Sequence, residues 1–164
     1  MEAKIKIDIK AREPDKLGIT VRKSIQAAEQ YCKDNNIKFT PVRRKVLEIL
    51  LQKNTAVGAY DILDLLCEAG FKNQPPVAYR ALDFLVQNGF AHKIEHLNSF
   101  IGCVHPGKDH SPAFMICRNC DSVSEEEAIT PNFSVSQIAS QAGFTVEKAV
   151  IEAQGLCHSC ASVA

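Results

Sequence analysis

The sequence predicts an α+β fold in two parts, a helical front half closed by a hairpin and a small α/β back half organised by cysteines. Three observations predict it. Apolar residues recur at helical spacing up to about Gln87. The period then changes to that of short strands over residues 92–104. Beyond this, four of the seven cysteines form two Cys-x-x-Cys pairs.

An amphipathic segment runs from about Val21 to Asn35, and the expected domain boundary lies just inside it, with residues 1–23 as an N-terminal extension and 24–104 as one domain. Thr40 followed by Pro41 reads as a cap with proline in the first helical turn, where its missing N–H costs nothing. Val46, Leu47, Ile49, Leu50 and Leu51 supply the buried stripe of that helix, and Arg43, Arg44 and Lys45 its early basic turn. Gly58-Ala59-Tyr60-Asp61 opens a second helix that closes near Gly70. Pro75-Pro76 opens a third, which stops at Asn88-Gly89. His92–Glu95 and Ser99–Val104 around Leu97-Asn98 then suit a hairpin. Three compact helices and a hairpin describe a winged helix-turn-helix domain. Residues 105–112, dense in Pro, Gly, Asp and Ser, read as a hinge. In the last part, 113–164, strands are expected at Ala113–Cys117, Val123–Glu127 and Thr145–Ala153, with a helix at Val135–Ala142.

Composition narrows the function. At 164 residues, 46% apolar and 23% charged, the chain is of ordinary globular make-up, and no segment approaches the roughly 20 unbroken apolar residues of a bilayer span. No membrane partner is expected. The first residues lack the apolar core of a secretory signal, so the expected compartment is the cytoplasm, where an odd number of cysteines reads as metal ligands or plain thiols. The zero net charge divides into +3 over residues 1–23, +1 over 24–104 and −4 over 105–164. Basic groups toward the front are compatible with nucleic-acid binding without establishing it.

Cys117-x-x-Cys120 and Cys157-x-x-Cys160 are the strongest chemical signal. Two residues between cysteines let both thiolates of a turn face one metal, and two such knuckles complete a tetrahedral zinc shell. The 36 residues between the knuckles exceed the usual ribbon gap of roughly 15–20, so secondary structure must fold back within the loop. Four thiolates leave no open position for a substrate, which argues against catalysis at this metal; neither an enzyme nor a small-molecule substrate is expected. A zinc nucleobase deaminase would need His-x-Glu upstream of Pro-Cys-x-x-Cys, whereas Lys93-Ile94 follows His92 and Ile116 precedes Cys117. His92, Cys103, His110 and Glu125 form a second candidate metal set, with His96 and His105 nearby as competing ligands. These residues come from hairpin, hinge and back half, with His92 and Cys103 expected to face each other across the hairpin. In the third helix, a core reading explains Ala78, Leu82 and Leu85 but leaves Val77, Tyr79, Arg80, Asp83 and Gln87 toward solvent. Arg80 can serve a guanine edge or a phosphate, and Tyr79 can pack on a thymine methyl or hydrogen-bond a phosphate.

Taken together, Thr40-Pro41-x-Arg43, Ala59-Tyr60-Asp61, Pro75-Pro76-Val77-Ala78-Tyr79-Arg80-Ala81-Leu82-Asp83-Phe84-Leu85, Gly89-Phe90-Ala91-His92-Lys93 and Phe114-Met115-Ile116-Cys117-x-x-Cys120 resemble the ferric uptake regulator family over about residues 24–161. Ala59–Leu66, Tyr79–Leu85 and Val150–Cys157 resemble its zinc uptake regulator branch. The resemblance implies a homodimeric, zinc-dependent transcriptional repressor acting on double-stranded operator DNA of two-fold symmetry, with residues 113–164 as the dimerisation domain. It implies two Zn²⁺ per subunit. Cys117, Cys120, Cys157 and Cys160 match the structural ligands, and His92, Cys103, His110 and Glu125 the regulatory ones. Tyr60 and Arg80 match DNA-contacting positions, and Tyr79 and Arg43 are further DNA-binding candidates. The usual Thr-Val before the Tyr-Arg pair is Val77-Ala78 here, and the turn between Cys103 and His110 is one residue short. An iron or peroxide sensor of the same family, and a zinc-stabilised protein-interaction module, are the alternative readings.

Overall fold

A computed structural model describes residues 14–53, 55–104, 106, 112–127, 133–147 and 149–162. The chain begins with α1 (Pro14–Asp34), α2 (Pro41–Gln52), α3 (Ala59–Glu68) and α4 (Pro75–Gln87), followed by the hairpin β1 (Ala91–Ile94) and β2 (Ser99–Gly102). Helix α1 takes in residues 14–23, set apart above as an extension, while residues 1–13 lie outside the described residues. Most of the expected hinge also lies outside them.

Local chemistry fixes the helix starts. The Thr40 hydroxyl accepts the Arg43 N–H at 3.3 Å and Pro41 occupies the first turn of α2. One face of α2 then buries Val46, Leu47, Ile49, Leu50 and Leu51 against Ile62, Leu63 and Leu66 of α3 and Ala78, Ala81, Leu82, Phe84 and Leu85 of α4. The end of α4 aims the chain into the hairpin. Gly89 has φ +71°, a conformation that costs glycine little, and the N–H groups of Gly89 and Phe90 close back on the carbonyls of Val86 and Leu85. This drops Phe90 into the core, where its ring meets Tyr31 of α1 edge-on at 5.4 Å. Strand β2 lies close against α2: a Cβ on Gly102 would stand 2.8 Å from Leu51 Cδ2 and 3.1 Å from its backbone nitrogen.

The second part comprises β3 (Pro112–Cys117), β4 (Val123–Glu127), α5 (Phe133–Gln141), β5 (Ile151–Gly155) and the short α6 (His158–Ala161). Its sheet has the order β4-β3-β5, with β3 antiparallel to β4 and parallel to β5. The expected strand at Thr145–Ala153 is corrected. Among the described residues pairing begins at Ile151, opposite Ala113; the preceding residue of β3, Pro112, has no N–H to give to a ladder. Among the described residues no helix is long and apolar enough to cross a membrane.

The two parts share an apolar cluster. Ile94 and Ile101 of the hairpin pack with Phe114, Ile116 and Val123 of the sheet, flanked by Ala56 and Leu97. A backbone bridge between Thr55 and Ser122 adds a further tie.

Candidate metal centres and nucleic-acid interface

The first centre lies at the end of the sheet. Cys117 closes β3 and Cys120 follows in the turn toward β4, while Cys157 precedes α6 and Cys160 lies within it. Parallel pairing of Cys117 with Gly155 carries the second knuckle to the first across the long loop. The four sulfurs lie within 4.8 Å of one another. Donors already point at them: Cys157 N–H and Asn119 Nδ2 each stand 3.3 Å from a sulfur, on Cys117 and Cys160 respectively. The Cys157 amide, aided by that of Asn119, holds the Cys117 thiol down to about 6. Asn119 also favours the Cys160 thiolate, but the hydrogen bonds its thiol gives to Cys157, Cys120 and Cys117, together with desolvation, push it up to about 11. Four thiols so close cannot all ionise side by side without a cation, so the donor set fits a zinc ion.

The second centre joins the two parts of the chain. His92 on β1, Cys103 just past β2 and Glu125 on β4 bring ligand atoms within 4.8 Å of one another. His92 Nε2 lies 3.2 Å from Glu125 Oε1 and Cys103 Sγ 3.6 Å from the same oxygen, while Glu125 Oε2 accepts the Val104 N–H at 3.0 Å. The expected facing of His92 and Cys103 is corrected by the register. His92 pairs with Ile101, and Cys103 N–H bonds to Phe90 O, so the two are diagonal neighbours. The site is closed to water: Cys103 is fully buried and the Glu125 side chain is 1% exposed. A carboxylate, a thiol and an imidazole buried together are expensive unless a cation or protons compensate them, and this donor set fits Zn²⁺. The expected fourth ligand, His110, and the competing His105 lie outside the described residues. His96 is elsewhere, at the hairpin tip, where its ring meets Gln154 of β5. Of the two remaining cysteines, Cys32 is buried in α1 and Cys67 is half-buried in α3.

In the helical part, Tyr60 in the first turn of α3 is 76% exposed, and Tyr79 and Arg80 stand exposed on α4. Arg80 Nε donates to Pro76 O at 3.1 Å, which lays its guanidinium along the N-terminal turn of α4. Arg43 is placed differently. Its guanidinium lies 3.6 Å over the Phe84 ring and bonds to Lys38 O, engaged within the domain.

One residue at the junction was not singled out from sequence. Glu152 on β5 accepts the backbone N–H groups of Glu95 (2.7 Å) and His96 (3.0 Å) at the hairpin tip. In sequence it reads as one polar position of an alternating strand.

No protein-family model matches the chain. Against curated proteins, it is 40% identical over 145 residues to the zinc uptake regulation protein of Escherichia coli (strain K12), spanning 88% of this chain and 85% of that relative. The chain belongs to the zinc uptake regulator family. A solved zinc uptake regulator complexed with zinc and DNA is 40% identical and superposes with a TM-score of 0.82 over 88% of this chain and 97% of that one. A second zinc uptake regulator, XcZur, has been solved in two forms. The holo form gives 0.73 (38% identity, 85% of this chain and 98% of that one) and the apo form 0.50 (37%, 87% and 99%). At matched identity and coverage, the arrangement described here is nearer the holo form. Among the described residues both clusters of ligand side chains are formed, and Tyr60, Tyr79 and Arg80 are each exposed.

Proposed function

We propose that this chain is a homodimeric, zinc-responsive transcriptional repressor of zinc uptake genes, acting in the cytoplasm on double-stranded operator DNA with two-fold symmetry. Residues 24–104 serve as the DNA-binding domain, 105–112 as a hinge and 113–164 as the dimerisation domain. The observation that carries the reading is the convergence of His92 and Cys103 from the hairpin on Glu125 from the sheet. Cys117, Cys120, Cys157 and Cys160 hold the structural zinc, and His92, Cys103 and Glu125 with His110 hold the regulatory one.

A two-fold operator presents half-sites about 34 Å apart or a multiple of that, so both recognition helices of a dimer must be set at fixed angles at once. In this chain α4 is the recognition helix. Tyr79 and Arg80 contact bases or phosphates, Tyr60 a flanking phosphate, and Arg43 supports the domain from within through Phe84. The apolar cluster holds the hairpin on the sheet, the Thr55–Ser122 bridge ties the α2–α3 connection beside β4, and His92, Cys103 and Glu125 fasten the hairpin there when the effector ion binds. The ion supplies a positive charge that joins ligands of the two domains. A thiolate among those ligands favours zinc over iron(II). Coupling between two ligands is reciprocal, so operator DNA must tighten zinc retention by the factor by which zinc tightens operator binding.

The test is operator binding by the purified dimer at controlled free zinc and, separately, free iron(II). Binding that rises with zinc and not with iron(II) is expected. Binding driven by iron(II), or indifferent to both, rejects the assignment.

A further inference from the structure

The register of the second sheet places Glu125 of β4, Phe114 of β3 and Glu152 of β5 in one cross-strand row, because Phe114 pairs with Glu125 on one side and with Glu152 on the other. Paired residues share a face, so the row presents two carboxylates flanking an aromatic ring. The hairpin lies across this row. At one end His92 meets Glu125, and its ring stands 5.3 Å from that of Phe114. In the middle Ile94 joins Phe114 in the shared apolar cluster. At the far end the Glu152 carboxylate takes both consecutive N–H groups of Glu95 and His96. The spans agree. Two strand spacings across the sheet come to about 9–10 Å, and three residues of extended chain from His92 to Glu95 to about 10 Å.

We infer that Glu152 is a positioning residue for the zinc response: by holding the hairpin tip at the edge opposite Glu125, it fixes the angle at which the DNA-binding domain is fastened. The metal site holds one end of the strand and the apolar cluster its middle, which leaves the tip able to lift, and a second polar fastening at the other end removes that freedom. The His92–Cys103–Glu125 site is the first point and Glu152 the second. Glu152 uses backbone donors, so it grips the tip whatever side chains the tip carries, and Gln154, on the same face of β5, adds a contact to the His96 ring. The carboxylate belongs to neither metal centre, so its contribution is present before the effector arrives and lowers the freedom the effector must remove. The comparison with relatives is consistent with a defined angle, since this arrangement superposes better on holo XcZur than on the apo form.

This inference rests on the zinc-response reading, and the test separates the two. Operator occupancy is titrated against free zinc for the full-length dimer and for Glu152→Ala, Glu152→Gln and His96→Pro. His96 occupies the second position of the turn closed by Asn98 N–H to Glu95 O, where proline is tolerated, so His96→Pro removes one of the two donors from the opposite side. A charge-assisted hydrogen bond corresponds to about tenfold in equilibrium or more, so Glu152→Ala should raise the free zinc at half-occupancy about tenfold. Glu152→Gln, keeping one acceptor oxygen, should fall between it and wild type, and His96→Pro should shift in the same direction. The double variant Glu152→Ala/His96→Pro should shift less than the product of the two single shifts. Spin labels on α2 and α5 should report a broader distance distribution in Glu152→Ala at saturating zinc, with zinc at the four cysteines and the dimer mass unchanged. A midpoint within twofold of wild type overturns the inference, as do multiplicative shifts in the double variant or a defect expressed as lost structural zinc or dissociation. Wild-type operator binding that ignores zinc sinks the functional reading instead.

Discussion

The four-cysteine centre and the His92–Cys103–Glu125 centre differ first in what they join. All four sulfurs of the former belong to two knuckles of one sheet domain, brought together by the β3–β5 ladder. The latter takes two groups from the hairpin and one from the sheet. They differ also in charge. Four thiolates around Zn²⁺ leave a formal −2, satisfied by the Cys157 amide and the Asn119 side chain. One thiolate and one carboxylate balance the ion, so when metal leaves two protons suffice to neutralise the emptied site, against four at the cysteine centre. On the function proposed above, the difference assigns permanence and exchange to ligand charge and connectivity: a site within one part of the chain staples it, and a site between two parts couples them.

The sharpest way to break this comparison is to damage each centre in turn. Cys117→Ser should unfold the C-terminal domain, since structural zinc sites of this kind contribute about 10–16 kcal/mol of folding free energy in small domains. Circular dichroism and dimer mass would show it. Cys103→Ser should leave a folded dimer with the four-cysteine zinc in place and abolish zinc-dependent operator binding, measured by mobility shift alongside metal content. Equal loss of folding in both variants would erase the distinction. Next in size is Leu82→Ala, which opens a cavity in the buried core of the helical domain at a cost of about 2–5 kcal/mol and should lower the melting of that domain while both zinc equivalents remain. The smallest effect is expected from Arg80→Ala, about 1–3 kcal/mol in operator affinity with zinc content and zinc midpoint unaltered. Unchanged affinity would remove Arg80 from the DNA interface.

Much of this was legible in the residues because local chemistry enforces it. Thr40-Pro41 and Pro75-Pro76 start helices through capping and a fixed φ, Asn88-Gly89 ends one through a left-handed glycine, and Val123–Glu127 forms a strand at its expected bounds. The Cys-x-x-Cys spacing carried its own geometry. What escaped depended on partners distant in sequence. The start of β5 at Ile151 follows from its register with β3, which no pattern within residues 145–153 reveals. The diagonal placement of Cys103 follows from hairpin register. Arg43, early in a basic run, is claimed by Phe84 and Lys38 O, and Glu152 is a clamp only because the hairpin tip arrives beside it.

The central claim is that an exchangeable ion between hairpin and sheet, and not the one held by four thiolates, controls DNA binding. The direct measurement is stepwise chelation of the fully loaded dimer, following zinc equivalents per subunit and operator occupancy together. The account predicts that occupancy is lost with the first equivalent removed while the second stays bound and the dimer stays folded. Full occupancy persisting after the first equivalent has left would contradict it.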